Sequence, residues 1–280
     1  MQLINKLSQL HKRIFFGVLM SLGMGGVLMA GPFAVKVLSL FLVGFLAFEW
    51  SQICKFPLKI FPPLIIGFVF SAIYATSINR STMGVGVLLS LASLGVILSW
   101  LSWHRRFLWF ALGVLYIGLP ILSVFWLLDH LHDGLLLLSW IIALVVVNDV
   151  SAYFVGTWLR GPKLVEAISP SKTWSGFFGG LLCACLSGGL LYPLLQTNVS
   201  IQMFMGVCGM IAFLSTTGDL FESKIKRIHK IKDSGSIIPG HGGIFDRVDG
   251  VLFVLPFVVF AIFLWPEMLL FSWKGYHVFT

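Results

Sequence analysis

Apolar residues run along most of this chain in segments of about 17–23 residues, separated by short polar stretches. Such a length suits an α-helix that crosses the hydrocarbon core of a bilayer, which takes about 20 residues. The pattern predicts nine spans, at about 14–31, 33–51, 61–77, 83–102, 107–127, 135–157, 174–196, 201–219 and 250–270. The predicted fold class is therefore all-α, a polytopic membrane bundle of about nine transmembrane helices.

Composition supports a membrane protein, since 58% of the 280 residues are hydrophobic and only 11% are charged, against about 25% charged in soluble domains. The four cysteines have neither metal-ligand nor disulfide spacing and are interpreted as small packing residues. We attribute the formal net charge of +8 to topology and expect no nucleic-acid partner, because cytoplasmic loops of membrane proteins collect Lys and Arg.

Charge also orients the spans. A cytoplasmic N-terminus places sixteen of the nineteen Lys and Arg on the cytoplasmic side, leaving Arg80 and Lys274 outside and Lys36 within the second span. We expect residues 1–134 to be a scaffold, with lipid access or the contacts of a homodimer as its candidate roles. Residues 135–280 are the expected catalytic region, with cytoplasmic loops 158–173 and 220–249.

The segment from Asp219 to Asp249 concentrates charged and glycine residues in this otherwise apolar chain. The eighth span is predicted to continue past the membrane surface as a helix with one polar face, formed by Asp219, Glu222, Ser223, Lys226 and Lys230. Three glycines in the run 239–243 permit close backbone approach to a ligand. Asp246 and Asp249 then share a helical face at the start of the ninth span.

These residue types suit phosphoryl chemistry at a membrane surface. Carboxylates are preferred ligands of Mg²⁺, and Lys and Arg bind phosphates. A basic loop held at anionic lipids is the alternative; it explains the cations, but not the acids at the span ends or the glycines. The sequence has no P-loop.

Two further polar groups precede this segment. Asn148 and Asp149 lie inside the sixth span, where an ionised Asp costs about 2.5–3.5 kcal/mol on insertion scales. One helical face is predicted to point into the bundle, towards a wet cavity or a packing partner; it is shared by Asp149, Tyr153, Gly156 and Arg160. Ser169, Lys172 and Thr173 open the seventh span, where hydroxyls and a Lys at a helix N-terminus form either a phosphate site or ordinary caps.

The run from Ser223 to Asp249, S-K-I-K-R-x4-K-D-S-G-x3-P-G-H-G-G-I-F-D-R-V-D, resembles the signature of phosphatidate cytidylyltransferases, also called CDP-diacylglycerol synthases. Gly218-Asp219-Leu220-x-Glu222 matches it too, as do D-x-x-A-Y-x-x-G from Asp149 and I-S-P-x-K-T from Ile168. The resemblance covers roughly 149–250. Ser175 departs from it, because many relatives carry Glu or Gln there, and we assign it no role.

The resemblance implies that CTP and phosphatidate react to give CDP-diacylglycerol and pyrophosphate, for phospholipid biosynthesis, with Mg²⁺ required and a second cation left open. It implies an integral protein of a bacterial inner membrane with its active site facing the cytoplasm. The lipid phosphate would itself attack CTP. The expected metal ligands are Asp219 and Asp246, supported by Asp249, Glu222 or Asp149. The expected catalytic and substrate-binding residues are Asp219, Asp246, Lys226, Arg227, His241, Ser223, Lys232, Arg247, Ser169, Lys172, Thr173, Gly242 and Gly243.

Two other functions are compatible with such a chain. A CTP-dependent lipid kinase of the polyprenol type would use similar machinery, but it would release CDP rather than pyrophosphate. A transporter would place polar groups along a path through the bilayer, whereas here they gather on one side. For His241, a role in shaping its loop is the alternative to binding phosphate.

Overall fold

The computed structural model describes residues 17–55, 65–67, 73, 106–194, 199–235 and 242–265. Its helices are α1 (Gly17–Met29), α2 (Pro32–Ile53), α3 (Arg106–His130), α4 (Gly134–Leu159), α5 (Trp174–Leu191), α6 (Ile201–Ile228) and α7 (Phe245–Leu264). A short 3-10 helix, Tyr192–Leu194, follows α5. Two strands, β1 (Lys163–Val165) and β2 (Ser169–Thr173), complete the described elements.

Within the described residues, six helices are long and apolar enough to cross a membrane, and they are α2 to α7. They correspond to six of the nine predicted spans, so the mostly helical membrane fold is confirmed. The first predicted span appears as the shorter apolar helix α1. The predicted spans at 61–77 and 83–102 fall almost wholly outside the described residues, so the count of nine and the orientation of the N-terminus stay predictions.

The chain divides into two compact units that are discontinuous in sequence. One comprises Met1–Leu122 and Ile228–Val248, and the other comprises Ser123–Arg227 and Asp249–Thr280. The division predicted at residue 134 concerned function and stays a prediction.

In the first unit, α2 begins at Pro32, which suits the first position of a helix because its missing N–H is not needed there. The buried face of α2 includes Val43, Leu46 and Trp50, whereas Phe41, Phe45 and Phe48 are exposed, as expected for a helix that also meets lipid. Trp50 is 1% exposed and donates through Nε1 to the Trp109 carbonyl at 3.0 Å. This bond fixes α2 against the start of α3.

In the second unit, α5 packs through a column of small residues spaced four apart: Gly176, Gly180, Ala184 and Gly188 are its buried positions. A Cβ on Gly176 would lie 2.6 Å from the Ala152 carbonyl oxygen, and one on Gly180 would lie 2.7 Å from the Asn148 Oδ1. Small residues let membrane helices approach closely where apolar burial alone gives little preference. The column therefore holds α5 directly against α4.

The predicted loop 158–173 contains a hairpin that the sequence did not predict. Strands β1 and β2 pair antiparallel, with Lys163 opposite Thr173 and Val165 opposite Ser169. The sequence signal was weak because β1 has three residues and β2 contains a proline. The hairpin leads directly into α5, which brings Lys172 and Thr173 to the start of that helix.

Helix α6 has 28 residues, a length of about 42 Å at 1.5 Å per residue, against a hydrocarbon core of about 30 Å. The predicted continuation of the eighth span past Asp219 is thus confirmed. The predicted polar face was too long, however, because it included Lys230. The helix ends at Ile228, and Lys230 lies beyond it with a left-handed φ of 57°.

His229 directly follows α6, in the first unit. Its ring meets Trp109 edge-on with a centroid distance of 4.6 Å, and its Nε2 is buried without a hydrogen-bond partner in the described parts of the chain. Burial, together with the positive charge of Lys55, lowers the pKa of His229 below its ordinary value.

Candidate active site

Three carboxylates of the second unit lie together. Asp219 and Glu222 are one turn apart on α6, and Asp249 is on α7. One oxygen from each lies within 4.8 Å of the others. The close contact depends on Gly218, since a Cβ there would lie 2.5 Å from the Cβ of Phe253 and 2.9 Å from the Asp249 carbonyl oxygen.

Two lysines neutralise part of this acidic cluster, which we define as Asp219, Glu222 and Asp249. Lys172, from β2, forms an ion pair of 2.5 Å with the Asp219 Oδ2. Lys226 lies 2.9 Å from the Glu222 Oε2 and is itself buried. The hairpin of loop 158–173 and the C-terminal part of α6 thus meet at the acids, as the sequence predicted for two separate motifs.

Asn148 and Asp149 approach the same cluster from α4. The Asn148 Nδ2 donates to the Asp149 Oδ1 at 3.2 Å and to the Thr216 Oγ1 at 3.3 Å. Asp149 interacts electrostatically with Lys172 and Asp219. The predicted inward face was wrong in part, because Asp149 and Tyr153 are exposed, whereas the neighbouring Asn148 is buried.

The donor set fits a divalent cation. Asp149 and the acidic cluster supply four carboxylates, against the two ammonium groups of Lys172 and Lys226, which is a formal excess of two negative charges. Glu222 is 2% exposed, and burying unbalanced charge is costly. Hard oxygen ligands of this kind are the ones that Mg²⁺ prefers, so Asp219, Glu222 and Asp249 could hold this ion.

In the first unit, Asp246 occupies the first turn of α7, as predicted, and is bonded to the chain before it. Its Oδ2 accepts from the Gly243 N–H at 2.9 Å, from the Ser234 N–H at 3.1 Å and from the Ser234 hydroxyl at 3.0 Å. A role as metal ligand therefore stays a prediction for Asp246. Replacing it with Asn would also disturb this local network, which makes it a poor single test of metal binding.

The remaining predicted substrate-binding residues differ in their surroundings. The Thr173 hydroxyl accepts from the Gly176 N–H at 3.1 Å and so caps α5. Ser169 is buried, while the Ser223 hydroxyl donates to the Asp219 Oδ1 at 3.3 Å. Arg227 is exposed and donates through Nε to the Ile168 carbonyl at 3.2 Å, which ties the end of α6 to the hairpin.

Other predicted residues lie in the segment before and within α7. Lys232 and Arg247 are exposed, and Gly242 has a φ of +82° that side-chain-bearing residues rarely adopt. Gly243 is buried. His241 lies outside the described residues, so its role stays a prediction.

The sequence analysis missed Glu49. This acid lies in α2, is fully buried at 0% exposure, and accepts three hydrogen bonds from residues 234–245. Its signal was visible as a single acidic residue near the end of an otherwise apolar span. Such a residue inside a membrane segment is expensive and marks a functional position by default.

Comparison with known proteins identifies the family of this chain. The profile of the Cytidylyltransferase family matches residues 11–265. The phosphatidate cytidylyltransferase of Brucella abortus biovar 1 (strain 9-941) is 36% identical over 187 residues, which are 66% of this chain and 68% of the relative. That of Brucella suis biovar 1 (strain 1330) is 36% identical over 186 residues, 66% and 67% of the two chains.

A more distant bacterial relative gives the same result. The phosphatidate cytidylyltransferase of Staphylococcus aureus (strain COL) is 35% identical over 145 residues, 52% of this chain and 55% of the relative. Because the family profile extends over residues 11–265 of the 280 in the chain, this protein belongs to the cytidylyltransferase family.

Proposed function

We propose that this chain is a phosphatidate cytidylyltransferase of phospholipid biosynthesis, which converts CTP and phosphatidate into CDP-diacylglycerol and pyrophosphate. The observation that carries the proposal is the acidic cluster with its two lysines, at the positions where the sequence resembles the family signature. The names of the similar proteins support the same substrates.

The reaction needs no nucleophile from the protein. A phosphatidate oxygen forms a bond to the α-phosphorus of CTP, the bond from that phosphorus to the bridging oxygen breaks, and pyrophosphate leaves with the electron pair. The residues of the chain contribute position and charge, which are the main demands of phosphoryl transfer. Four cations would neutralise the triphosphate and the lipid phosphate: Lys226, Arg227, Lys232 and Arg247.

The acids would supply the metal site. Bound Mg²⁺ would withdraw charge from the phosphate oxygens and balance the leaving pyrophosphate. Asp219, Glu222 and Asp249 would hold it, with Asp149 and Asp246 as the further ligands that the sequence predicts and a second cation left open. Lys172 would orient the Asp219 carboxylate through their ion pair.

We further infer that the site faces the cytoplasm of a bacterial inner membrane, where CTP is available, and that the lipid enters sideways from the bilayer. The arrangement of charges along the chain supports this orientation. A homodimer through residues 1–134 stays a prediction.

The decisive experiment identifies which part of CTP reaches the lipid. Purified full-length protein in detergent–phosphatidate micelles with Mg²⁺ should transfer label from cytosine-labelled CTP to the lipid, and γ-labelled CTP should give labelled pyrophosphate. Label from the γ-phosphate in the lipid would instead identify a lipid kinase. No labelled lipid from either substrate, across several phosphatidates, would refute the proposed function.

Variants connect that activity to the cluster. Asp219→Asn should reduce formation of CDP-lipid by at least a hundredfold, whereas Glu166→Gln should leave it unchanged, because Glu166 is an exposed residue of the hairpin turn. Turnover within threefold of wild type in Asp219→Asn would mean that the acidic cluster is not the metal site.

A further inference from the structure

Glu49 lies at one end of α2, and its carboxylate meets the segment that leads into α7, within the first unit. Its Oε2 accepts from the Phe245 N–H at 2.8 Å and from the Ser234 hydroxyl at 3.2 Å. Its Oε1 accepts from the Ile244 N–H at 2.9 Å. Both oxygens are thus bonded to the backbone or side chains next to the start of α7.

A carboxylate suits this position. The first N–H groups of a helix have no acceptor inside the helix and carry the positive end of its dipole. The N-terminus of a helix is therefore an anion site, and the Glu49 carboxylate lies there in place of an external anion. Its hydrogen bonds satisfy a charge that is fully buried.

The glycines around Glu49 are fitted to its carboxylate. A Cβ on Gly235 would lie 2.8 Å from the Glu49 Oε1. A Cβ on Gly243 would overlap the Ser234 Oγ and would lie 2.7 Å from the Glu49 Oε2. Gly235 and Gly243 thus leave room for the Glu49 carboxylate. This is a different reason for glycine at these positions from the close approach of a ligand.

Ser234 links Glu49 to Asp246. Its hydroxyl lies 3.2 Å from the Glu49 Oε2 and 3.0 Å from the Asp246 Oδ2. One hydroxyl proton serves only one of these carboxylates at a time. The Ser234 N–H also donates to the Asp246 Oδ2, so the orientation of Asp246 is coupled to a network that includes Glu49.

Aromatic packing holds the same helix start. Phe245 is fully buried, and its ring lies 5.8 Å from that of Trp50 and 5.6 Å from that of Tyr116, measured between centroids. Adjacent residues of α2 therefore contact the first turn of α7 in two ways. Glu49 holds its backbone, and Trp50 holds the Phe245 side chain.

We propose that Glu49 is a positioning residue, which fixes the first turn of α7 so that Arg247 is presented to the triphosphate and Asp246 to the metal that accompanies it. The proposal rests on the proposed function. Glu49 touches neither substrate, and its loss leaves the reacting groups in place but lowers the fraction of molecules in which that turn is correctly formed. Apparent affinity falls in proportion to this fraction, while turnover at saturation is kept.

The test is Glu49→Gln, an isosteric change that turns one acceptor towards the N–H groups into a donor. We expect the KM for CTP to rise at least tenfold with kcat changed less than threefold. Ser234→Ala removes the linking hydroxyl and should raise this KM about two- to fivefold. The matched control is Ser39→Ala, which removes a buried hydroxyl that donates to the Val35 carbonyl of its own helix and should change neither constant.

A purely structural role gives a different result, since partial misfolding lowers the amount of active enzyme and so kcat at an unchanged KM. That result in both Glu49→Gln and Ser234→Ala would overturn the proposal. If Glu49→Gln does not fold, Ser234→Ala decides alone.

Hydrogen exchange provides a test that does not depend on the activity. Glu49→Gln in full-length protein should speed amide exchange at Ile244 and Phe245 at least tenfold over wild type, and Ser39→Ala should not. Unchanged exchange at both amides would overturn the positioning role. Absence of CDP-lipid from the wild-type enzyme would refute the proposed function separately, leaving the exchange result to judge whether Glu49 fixes this turn.

Discussion

Neutralising one acid of the cluster should have opposite effects on stability with and without metal. In Asp249→Asn the side chain keeps its size and loses its charge. Ligand oxygens of Asp249 and Asp219 lie within 4.8 Å, so two ionised groups repel by about 3.5 kcal/mol at an effective dielectric constant of about 20. Lys172 offsets part of this repulsion through its ion pair with Asp219, and we expect a net gain of about 1–2 kcal/mol without metal.

With Mg²⁺ the wild type should be the more stable of the two proteins. At a Mg²⁺ concentration of 100 times its Kd, binding stabilises the wild type by about 2.7 kcal/mol. Losing even an outer-sphere partner weakens metal binding by about 10–100-fold, and a hundredfold loss would leave about 0.4 kcal/mol at the same concentration. Asp249→Asn should therefore be more stable than wild type in EDTA and should gain little from Mg²⁺.

The assay is thermal unfolding of the full chain in detergent, in EDTA and over a Mg²⁺ titration. We expect Asp249→Asn to unfold about 3–6 °C above wild type in EDTA, and to show less than half of the wild-type rise with Mg²⁺. Glu166→Gln makes the same charge change at an exposed turn and should follow wild type in both conditions. A full Mg²⁺ response in Asp249→Asn, with unchanged stability in EDTA, would refute the metal site.

Three further predictions concern packing, capping and pH. Gly218→Ala should lower the free energy of unfolding by about 1–3 kcal/mol through overpacking, since its Cβ would lie 2.5 Å from that of Phe253. Gly206→Ala is the control, because a Cβ there has nothing within 4 Å. Equal melting temperatures of the two variants would contradict this prediction. Thr173→Ala should cost about 1 kcal/mol through the lost cap and Thr173→Ser much less, as thermal unfolding can measure. The pKa of His229 is lowered in the folded chain, so the unfolded chain binds a proton at a higher pH than the folded chain does. The free energy of unfolding should therefore fall as pH drops below about 6.5, until the pH reaches the lowered pKa. His229→Gln should flatten that dependence, and identical slopes between about pH 8 and 5 would refute it.

The residue pattern predicted the helices well because crossing a bilayer imposes a length and an apolar composition that any window of about 20 residues reveals. It also predicted that α6 continues beyond the membrane, since Asp219, Glu222 and Lys226 recur at helical spacing. It could not place the end of that helix, because Lys230 adopts a left-handed conformation that local propensity does not require.

The residue types of the candidate site could be predicted from the sequence, but the ion pairs between its lysines and acids could be predicted only in part. The family signature pointed to Asp219 and Asp246, with Asp249, Glu222 or Asp149 in support. Which of these acids lie together, and which lysine pairs with which acid, depends on how the elements pack. Lys172 reaches Asp219 because a short hairpin carries it there, and β1 is too short to show a strand pattern.

The amino-acid sequence alone thus determined the membrane class, most of the helices and the family, because these depend on composition and on local spacing. Only the tertiary structure decided which groups hydrogen-bond to a buried acidic side chain such as Glu49. Glu49 bonds to Ile244, 195 residues away, and no local pattern encodes such a contact. A single acid in an apolar span marks a position of interest, but only the fold shows that the backbone N–H groups at the start of α7 stabilise its charge.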